Sequence, residues 1–404
     1  MQRKSVGVRA IQERLRRTMP VIVIAAVFLA VCLTLLPVMG GSFSGPSVYN
    51  SYTLQALAWR EGRASLGVDH PHLELAVYEG DWYVSFPPVP TVPMYLLTFL
   101  FGENTPDALM VKIYALISLC AIYLTLEKQW NRWHAACAAC LIALGSSMLP
   151  LFMEGAVWYQ AQLMAFCLTA CSVALMVRGR MTPALFLYAL AVGCRPFNVC
   201  YGPLLILLWY LRRKNRSVRL AARRLWPGIV LGLMVAASYA AYNYARFGNV
   251  FEFGHNYLPE FTRSEHGQFS LNYLTGNTRQ FLLGLPVAWT EGGWSYSMFG
   301  SSVFLANPAL LLMVVWYLWD VIRRRAGLKH HLTIAFLAVH LFLLLLHRTG
   351  GGFQLGARYA VDLIPYSLIY LTIQKERSGL RWWETAILYT GFIVMFIGCS
   401  QIHI

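Results

Sequence analysis

Carboxylates are scarce in this chain, so the place where they gather is the first guide to its chemistry. Asp69, Glu74, Glu79 and Asp81 fall in one short stretch, Glu61 lies just before it, and Phe86-Pro87-Pro88 closes it. The whole sequence has 18 Asp and Glu against 33 Lys and Arg, a formal charge of +15. A carboxylate acts as general base on a hydroxyl when it can reach that proton. It needs no covalent partner when the leaving group is already good, as a phosphate is. Phosphate leaving groups need cations, and the planar fork of arginine suits them best. Arginines outside the basic blocks include Arg195, Arg246, Arg263, Arg279, Arg348 and Arg358.

The elements that must position these groups are membrane helices. Hydrophobic residues make up 57% of the chain, charged residues 13%, and the mean hydropathy is +0.51, outside the range of soluble domains. Runs such as Val21–Leu36, Ile229–Ala241, Val303–Trp319 and Leu332–Leu346 fit helices crossing a hydrocarbon core about 30 Å thick. The first run lacks a small-residue cleavage site and leads into Pro37, which reads as a retained span. Basic residues sit in blocks between the apolar runs: a tail (Arg3, Lys4, Arg9, Arg14, Arg16, Arg17), then Lys128/Arg132, Arg178/Arg180, Arg212–Arg224, Arg323–Lys329 and Lys375–Arg381. That alternation is the positive-inside pattern with a cytoplasmic N-terminus, and it argues against nucleic acid as a partner. In a bilayer, acids facing semi-buried arginines point to group transfer from a lipid phosphate.

The reading is an all-α polytopic membrane protein, one transmembrane domain over residues 1–404, with about eleven spans. They fall near 19–39, 107–126, 134–150, 160–177, 182–194, 197–211, 226–245, 300–321, 331–347, 358–374 and 383–400. Val89–Gly102 is apolar but short of the roughly twenty residues a span needs, so it reads as an interfacial helix. The extracytoplasmic segments are then 40–106, 246–299 and 348–362. Only about thirty residues separate Arg180 from Arg212, where two spans need about forty. The tip Cys194-Arg195-Pro196-Phe197-Asn198 should therefore lie beneath the outer surface, where an arginine faces a polar cavity or snorkels.

Within the first outer segment, Asn50–Gly62 reads as a short helix capped by Asn50 or Ser51. Asp69-His70-Pro71-His72-Leu73-Glu74 reads as extended, which would place His70, His72 and Glu74 on one face, a set that suits a divalent metal (Mg, Mn or Zn). Tyr78–Tyr83 reads as a hairpin turn around Gly80. Plainer roles compete. Asp362 lies four residues after Arg358 and would neutralise it on a helix face. Glu154 would solvate an outer turn, His255 and His266 would be loop residues, and His340 and His347 would pair inside the bundle. Trp82, Tyr83, Trp158, Tyr159, Trp289 and Trp294 suit an interface belt and sugar stacking equally. The nine cysteines, Cys137-Ala-Ala-Cys140 among them, read as small buried thiols.

The stretch Glu61-Gly-Arg…Leu73-Glu-Leu-Ala-Val-Tyr-Glu-Gly-Asp-Trp-Tyr-Val-Ser-Phe-Pro-Pro88 resembles the first outer loop of bacterial GT-C glycosyltransferases, relatives of protein O-mannosyltransferases and lipid A aminoarabinose transferases. Gly193-Cys-Arg-Pro196, Tyr242–Gly248 with Phe251-Glu-Phe-Gly254, and Gln354–Pro365 follow in the family's order. The resemblance implies a polyprenyl-phosphate sugar donor, transfer outside the cytoplasm to a glycan, lipid or protein with inversion at the anomeric carbon, and residence in the bacterial plasma membrane. It also implies a first-loop carboxylate as base and arginines or a metal on the lipid phosphate. Many relatives carry the acid soon after the first span, where this chain has Asn50. By position in the matching stretch Glu74 is the favoured base, followed by Asp69 and Asp81. Arg195 and Arg358 are the phosphate candidates, with Arg246, Asn50, Glu154, Gln354, Asp362 and Tyr83 as further binding residues. Two other classes are open: a transporter or flippase of lipid-linked sugars, which predicts inverted repeats that are not visible, and a non-catalytic assembly partner, which Asn50 favours.

Overall fold

A computed structural model describes residues 2–213, 216–374 and 377–403, with side chains from Thr18 onward. The side chains of Arg3, Lys4, Arg9, Arg14, Arg16 and Arg17, and residues Lys214 and Lys375 of the basic blocks, lie outside the described residues. A helix stands at every position expected for a span. Six are long and apolar enough to cross a membrane: Thr18–Met39, Asp107–Leu126, Val157–Val177, Val218–Phe247, Leu328–Leu345 and Trp382–Cys399. The others are shorter, and the sequence shows why. Pro196 and Pro308 each open a helical segment, and the first turns at Pro196–Tyr201 and Arg358–Leu363 are wound as tight 3-10 helix ahead of the α-helices Gly202–Leu211 and Ile364–Ile373. Arg195, before Pro196, is extended at φ −141°, ψ 103°, as a residue preceding proline prefers.

Small residues set how closely these helices approach. Lipid tails are as apolar as leucine, so helices associate through packing rather than through exclusion of water. Ala135, Ala136, Ala138 and Ala139 are all buried on the helix Arg132–Leu144. At its end a Cβ on Gly145 would stand 2.7 Å from the Leu388 carbonyl oxygen, and one on Gly391 would stand 2.8 Å from the Gly145 oxygen. Any larger residue at either position would force Trp382–Cys399 away. The helices Asp107–Leu126, Val157–Val177 and Met181–Val192 form the centre, whereas Val218–Phe247 presents most of its surface outward.

The first outer segment folds as a helix Ser51–Arg60, a hairpin Leu75–Tyr78/Asp81–Val84 and a helix Thr91–Phe101. The hairpin is the one expected: Tyr78 faces Asp81 across a two-residue turn whose Glu79 and Gly80 both have positive φ, 52° and 84°, the left-handed pair that matches strand twist. Gly62 at φ 74° ends the first helix, where the Arg63 and Gly62 N–H groups donate back to the Ala58 and Trp59 carbonyls. Two local expectations fail. Asn50 occupies the cap position, but at ψ 35° its side chain cannot reach back to the first turn and makes no cap bond. Residues 70–73 turn instead of extending, with Leu73 N–H donating to the His70 carbonyl at 2.8 Å. Pro71 suits the second position of such a turn, so His70, His72 and Glu74 do not share a strand face. The long outer segment carries short helices at His255–Tyr257, Pro259–Thr262 and Leu274–Thr278, a π-helical stretch Arg279–Leu283, and a second hairpin Val287–Thr290/Gly293–Tyr296.

Candidate active site

Five separated stretches meet around one cavity of about 330 Å³, the start of the helix Val157–Val177 supplying Trp158 and Ala161. The first outer segment supplies Glu74, Phe86 and Pro87; the hairpin tip supplies Cys194, Arg195 and Phe197; the long segment supplies Phe251 to Phe269; the glycine loop supplies His347, Gly351, Gly352 and Arg358. The roof is tied to the tip by Val89 N–H, which donates to the Gly193 carbonyl at 3.1 Å. Within the tip Cys194 and Asn198 are buried, while Pro196 is exposed.

The acidic wall begins with Glu74. Its Oε2 accepts from the Trp158 indole Nε1–H at 2.8 Å, and both residues line the cavity. Trp158 packs on Tyr49 at 4.9 Å between ring centroids, so the donor is itself held. Glu260, at the start of the short helix Pro259–Thr262, lines the same cavity. Burial first, then the negative charge of Glu74, push the Glu260 carboxyl above its ordinary range, against the pull of Arg348. Between them stands His255, whose Nδ1–H donates to the Ser85 carbonyl at 2.8 Å. Burial lowers its pKa, so the ring is neutral with Nε2 as an acceptor. Glu252 is spent locally, accepting from Gly254 N–H and Asn256 Nδ2.

The basic wall is Arg195 and Arg358, and they differ. Arg195 donates from Nε to Asp362 Oδ2 at 2.9 Å, its side chain 22% exposed and that of Asp362 1%. Asp362 also accepts from Gln162 Nε2 at 3.2 Å. The expectation that Asp362 neutralises Arg358 is thus corrected: the 3-10 turn Arg358–Leu363 breaks the α-helical spacing of four that would bring them together. Arg358 is fixed through Nε–H to the Gly351 carbonyl at 2.8 Å, and its guanidinium lies over the rings of Tyr359 and Tyr159 at 5.0 and 5.7 Å. Gln354 braces that loop, accepting from Arg358 N–H and donating to the Gly350 carbonyl, both at 2.7 Å. Gly351 has φ +119°, and a Cβ there would come within 2.9 Å of Arg358 Nε. Among the described residues Arg358 has no ion pair, whereas Arg195 has one with Asp362.

The other sequence candidates lie off the cavity lining. Asp69 is an exposed loop residue, and Asp81 accepts from Trp82 N–H at the hairpin turn. Tyr83 packs on Phe247 at 5.2 Å. Arg246 is buried between Tyr242 and Phe247 and donates to the Val84 carbonyl at 2.9 Å, clamping the hairpin to the end of the long helix. Glu154 stands half-buried in the turn before Val157, next to Tyr49 and Tyr159, and burial raises its pKa. His340 pairs with Tyr201 in the bundle, as expected, whereas His347 lines the cavity with Nε2 accepting from Gln268. Sequence reasoning missed Glu260, His255, His347 and Trp158 as cavity residues. Only Phe251-Glu-Phe-Gly254, one of the motifs, pointed towards that part of the long segment.

No family model matches the sequence, and no curated protein matches it. Solved structures do. The oligosaccharyltransferase of Archaeoglobus fulgidus in the apo form superposes with a TM-score of 0.53 at 12% identity, over 94% of this chain and 56% of that one. ArnT from Cupriavidus metallidurans bound to undecaprenyl phosphate gives 0.53 at 17% identity, over 93% of this chain and 63% of that one. The chain has the GT-C glycosyltransferase fold. It spans 56% and 63% of the length of those two structures. Six helices of the described residues are long and apolar enough to cross a membrane, in accord with that fold.

Proposed function

We propose that this protein is an inverting glycosyltransferase that moves a sugar from a polyprenyl-phosphate donor to an extracytoplasmic hydroxyl acceptor. The observation that carries it is one cavity lined by Glu74 together with Arg195 and Arg358. The acceptor oxygen bonds to the anomeric carbon from the face opposite the phosphate. The bond from that carbon to the phosphate oxygen breaks, and its electron pair leaves on the phosphate. The acceptor proton goes to Glu74 Oε1, while Trp158 holds Oε2. Arg358 meets the charge that grows on the departing phosphate, and Arg195, half-neutralised by Asp362, adds a weaker field. Among the described residues no group of three or more His, Cys, Asp or Glu side chains could hold a metal ion, so the residues present do not fit one and no step is assigned to it.

In the same reading all eleven helical positions cross a bacterial inner membrane, the N-terminus is cytoplasmic, and the cavity opens outside. Thr91–Phe101, with Val92, Leu96, Phe99 and Leu100 exposed, lies along the outer interface. Reporter fusions at Gly102 and Asn131 should score outside and inside respectively; the opposite signs overturn this topology. The decisive experiment is Glu74→Gln with a panel of polyprenyl-phosphate sugars, read by mass spectrometry of cell-surface glycans. Transfer should disappear while the protein stays folded in membranes, and retained transfer would exclude Glu74 as the base.

A further inference from the structure

We propose that Glu260 is the second carboxylate of a proton-handling pair with Glu74, brought into the site by the docked long outer segment. The inference rests on the glycosyltransferase reading above and deepens it.

The geometry is the first support. Glu74 precedes the first strand of the outer hairpin, and Glu260 lies in a different outer segment, yet both line the same cavity. What holds the second segment there is specific. His255 Nδ1–H donates to the Ser85 carbonyl, and its ring meets Phe86 edge-on at 5.6 Å and stacks towards Phe261 at 6.2 Å. Gly254, at φ +101°, lets the backbone pass close to Ser85, where a Cβ would lie 3.3 Å from the Ser85 Cα. Phe261, the residue after Glu260, is buried. Glu260 is thereby placed by its neighbours, not by any hydrogen bond of its own carboxyl among the described residues.

The two acids are unequal. Glu74 has one oxygen taken by Trp158, whereas Glu260 has none taken. Burial and the charge of Glu74 make the Glu260 carboxylate the more readily protonated than it would be alone. The groups facing it are Glu74 from the first segment, Glu252 and His255 from its own, His347 and Arg348 beyond the helix Leu328–Leu345, and Arg195 and Arg358 of the same cavity lining. After transfer, the acceptor proton held on Glu74 Oε1 passes to the Glu260 carboxylate, directly or across one water, and from there to the outer solution. Glu74 returns to its carboxylate form, and no bond other than O–H is made or broken in this step.

The test is the pH profile of kcat/KM for sugar transfer in wild type, Glu260→Gln, Glu260→Asp and Glu74→Gln. Removing the Glu260 carboxyl should move the acidic limb to lower pH, because burial and the Glu74 charge raise the pKa of Glu260 and that group no longer titrates. The rate near neutrality should fall about tenfold, and Glu260→Asp should recover most of it. A merely structural residue would lower the rate without moving the limb. Wild type without transfer would sink the glycosyltransferase reading itself. Wild type active, with Glu260→Gln within twofold and its limb unmoved, would overturn the pair alone. Activity kept in Glu74→Gln but lost in Glu260→Gln would reverse the assignment and overturn the order proposed.

Discussion

The Arg195–Asp362 pair offers a test that needs no knowledge of the substrate. Removing one partner of a fully buried pair costs about 3–5 kcal/mol, most of it from the charge left behind. Asp362 is 1% exposed, but Arg195 keeps 22% of its side chain open to the cavity, where water screens part of the loss. The expected cost of Asp362→Asn is therefore about 2–4 kcal/mol, since the amide oxygen still accepts from Gln162 but offers no charge. Arg195→Met should cost a similar amount. The double variant should cost less than the sum by about 2 kcal/mol, because neither charge is then stranded. Detergent-micelle unfolding titrated with dodecyl sulfate and followed by tryptophan fluorescence measures all three. Asp362→Asn should at the same time bind polyprenyl phosphate more tightly, because the cavity becomes more positive. Single costs below about 0.5 kcal/mol that simply add would refute the view that this pair fixes the tip.

Three other outcomes are expected. Gly351→Ala should weaken polyprenyl-phosphate binding about tenfold by displacing Arg358, whereas Gly352→Ala, at φ +67° with open space, should cost only about 1 kcal/mol of stability; titration calorimetry and unfolding separate the two. Trp158→Phe should slow transfer about three- to tenfold in a folded protein, since the ring stays and only the indole N–H to Glu74 goes; unchanged kcat/KM would contradict that role. Burial depresses the His255 pKa, so the folded state binds that proton less readily than the unfolded chain, whose histidine titrates near about 6.5. The stability from neutral His255 is thus present above that pH and lost as pH falls. Thermal melts between about pH 7 and 5 should drop more steeply in wild type than in His255→Gln.

The helical positions were legible because each apolar run is long and bracketed by basic residues, a signal that depends on composition alone. The first hairpin was legible because Glu79-Gly80 carries its own turn chemistry. Pro71 was misread: proline restricts its predecessor, but it also seeds a turn, and Leu73 N–H found the His70 carbonyl. The partner of Asp362 was misread because spacing of four assumes an α-helix, and Arg358–Leu363 winds more tightly. Glu260 was invisible as a cavity residue since nothing local marks it. Its place depends on His255 meeting Ser85, a contact 170 residues apart in sequence.

The same long reach governs how the molecule is born. Arg195 is synthesised 167 residues before Asp362, its only carboxylate partner among the described residues. At about 5–20 residues per second, the ribosome takes on the order of ten to thirty seconds to deliver that aspartate. Through that interval the hairpin carries an unpaired guanidinium while later helices are still to come. Membrane insertion must therefore shelter the tip, by leaving it at the headgroups or within the insertion machinery, and let it settle once the tenth helical position arrives. The pair closes the site before the last helix, Trp382–Cys399, is made.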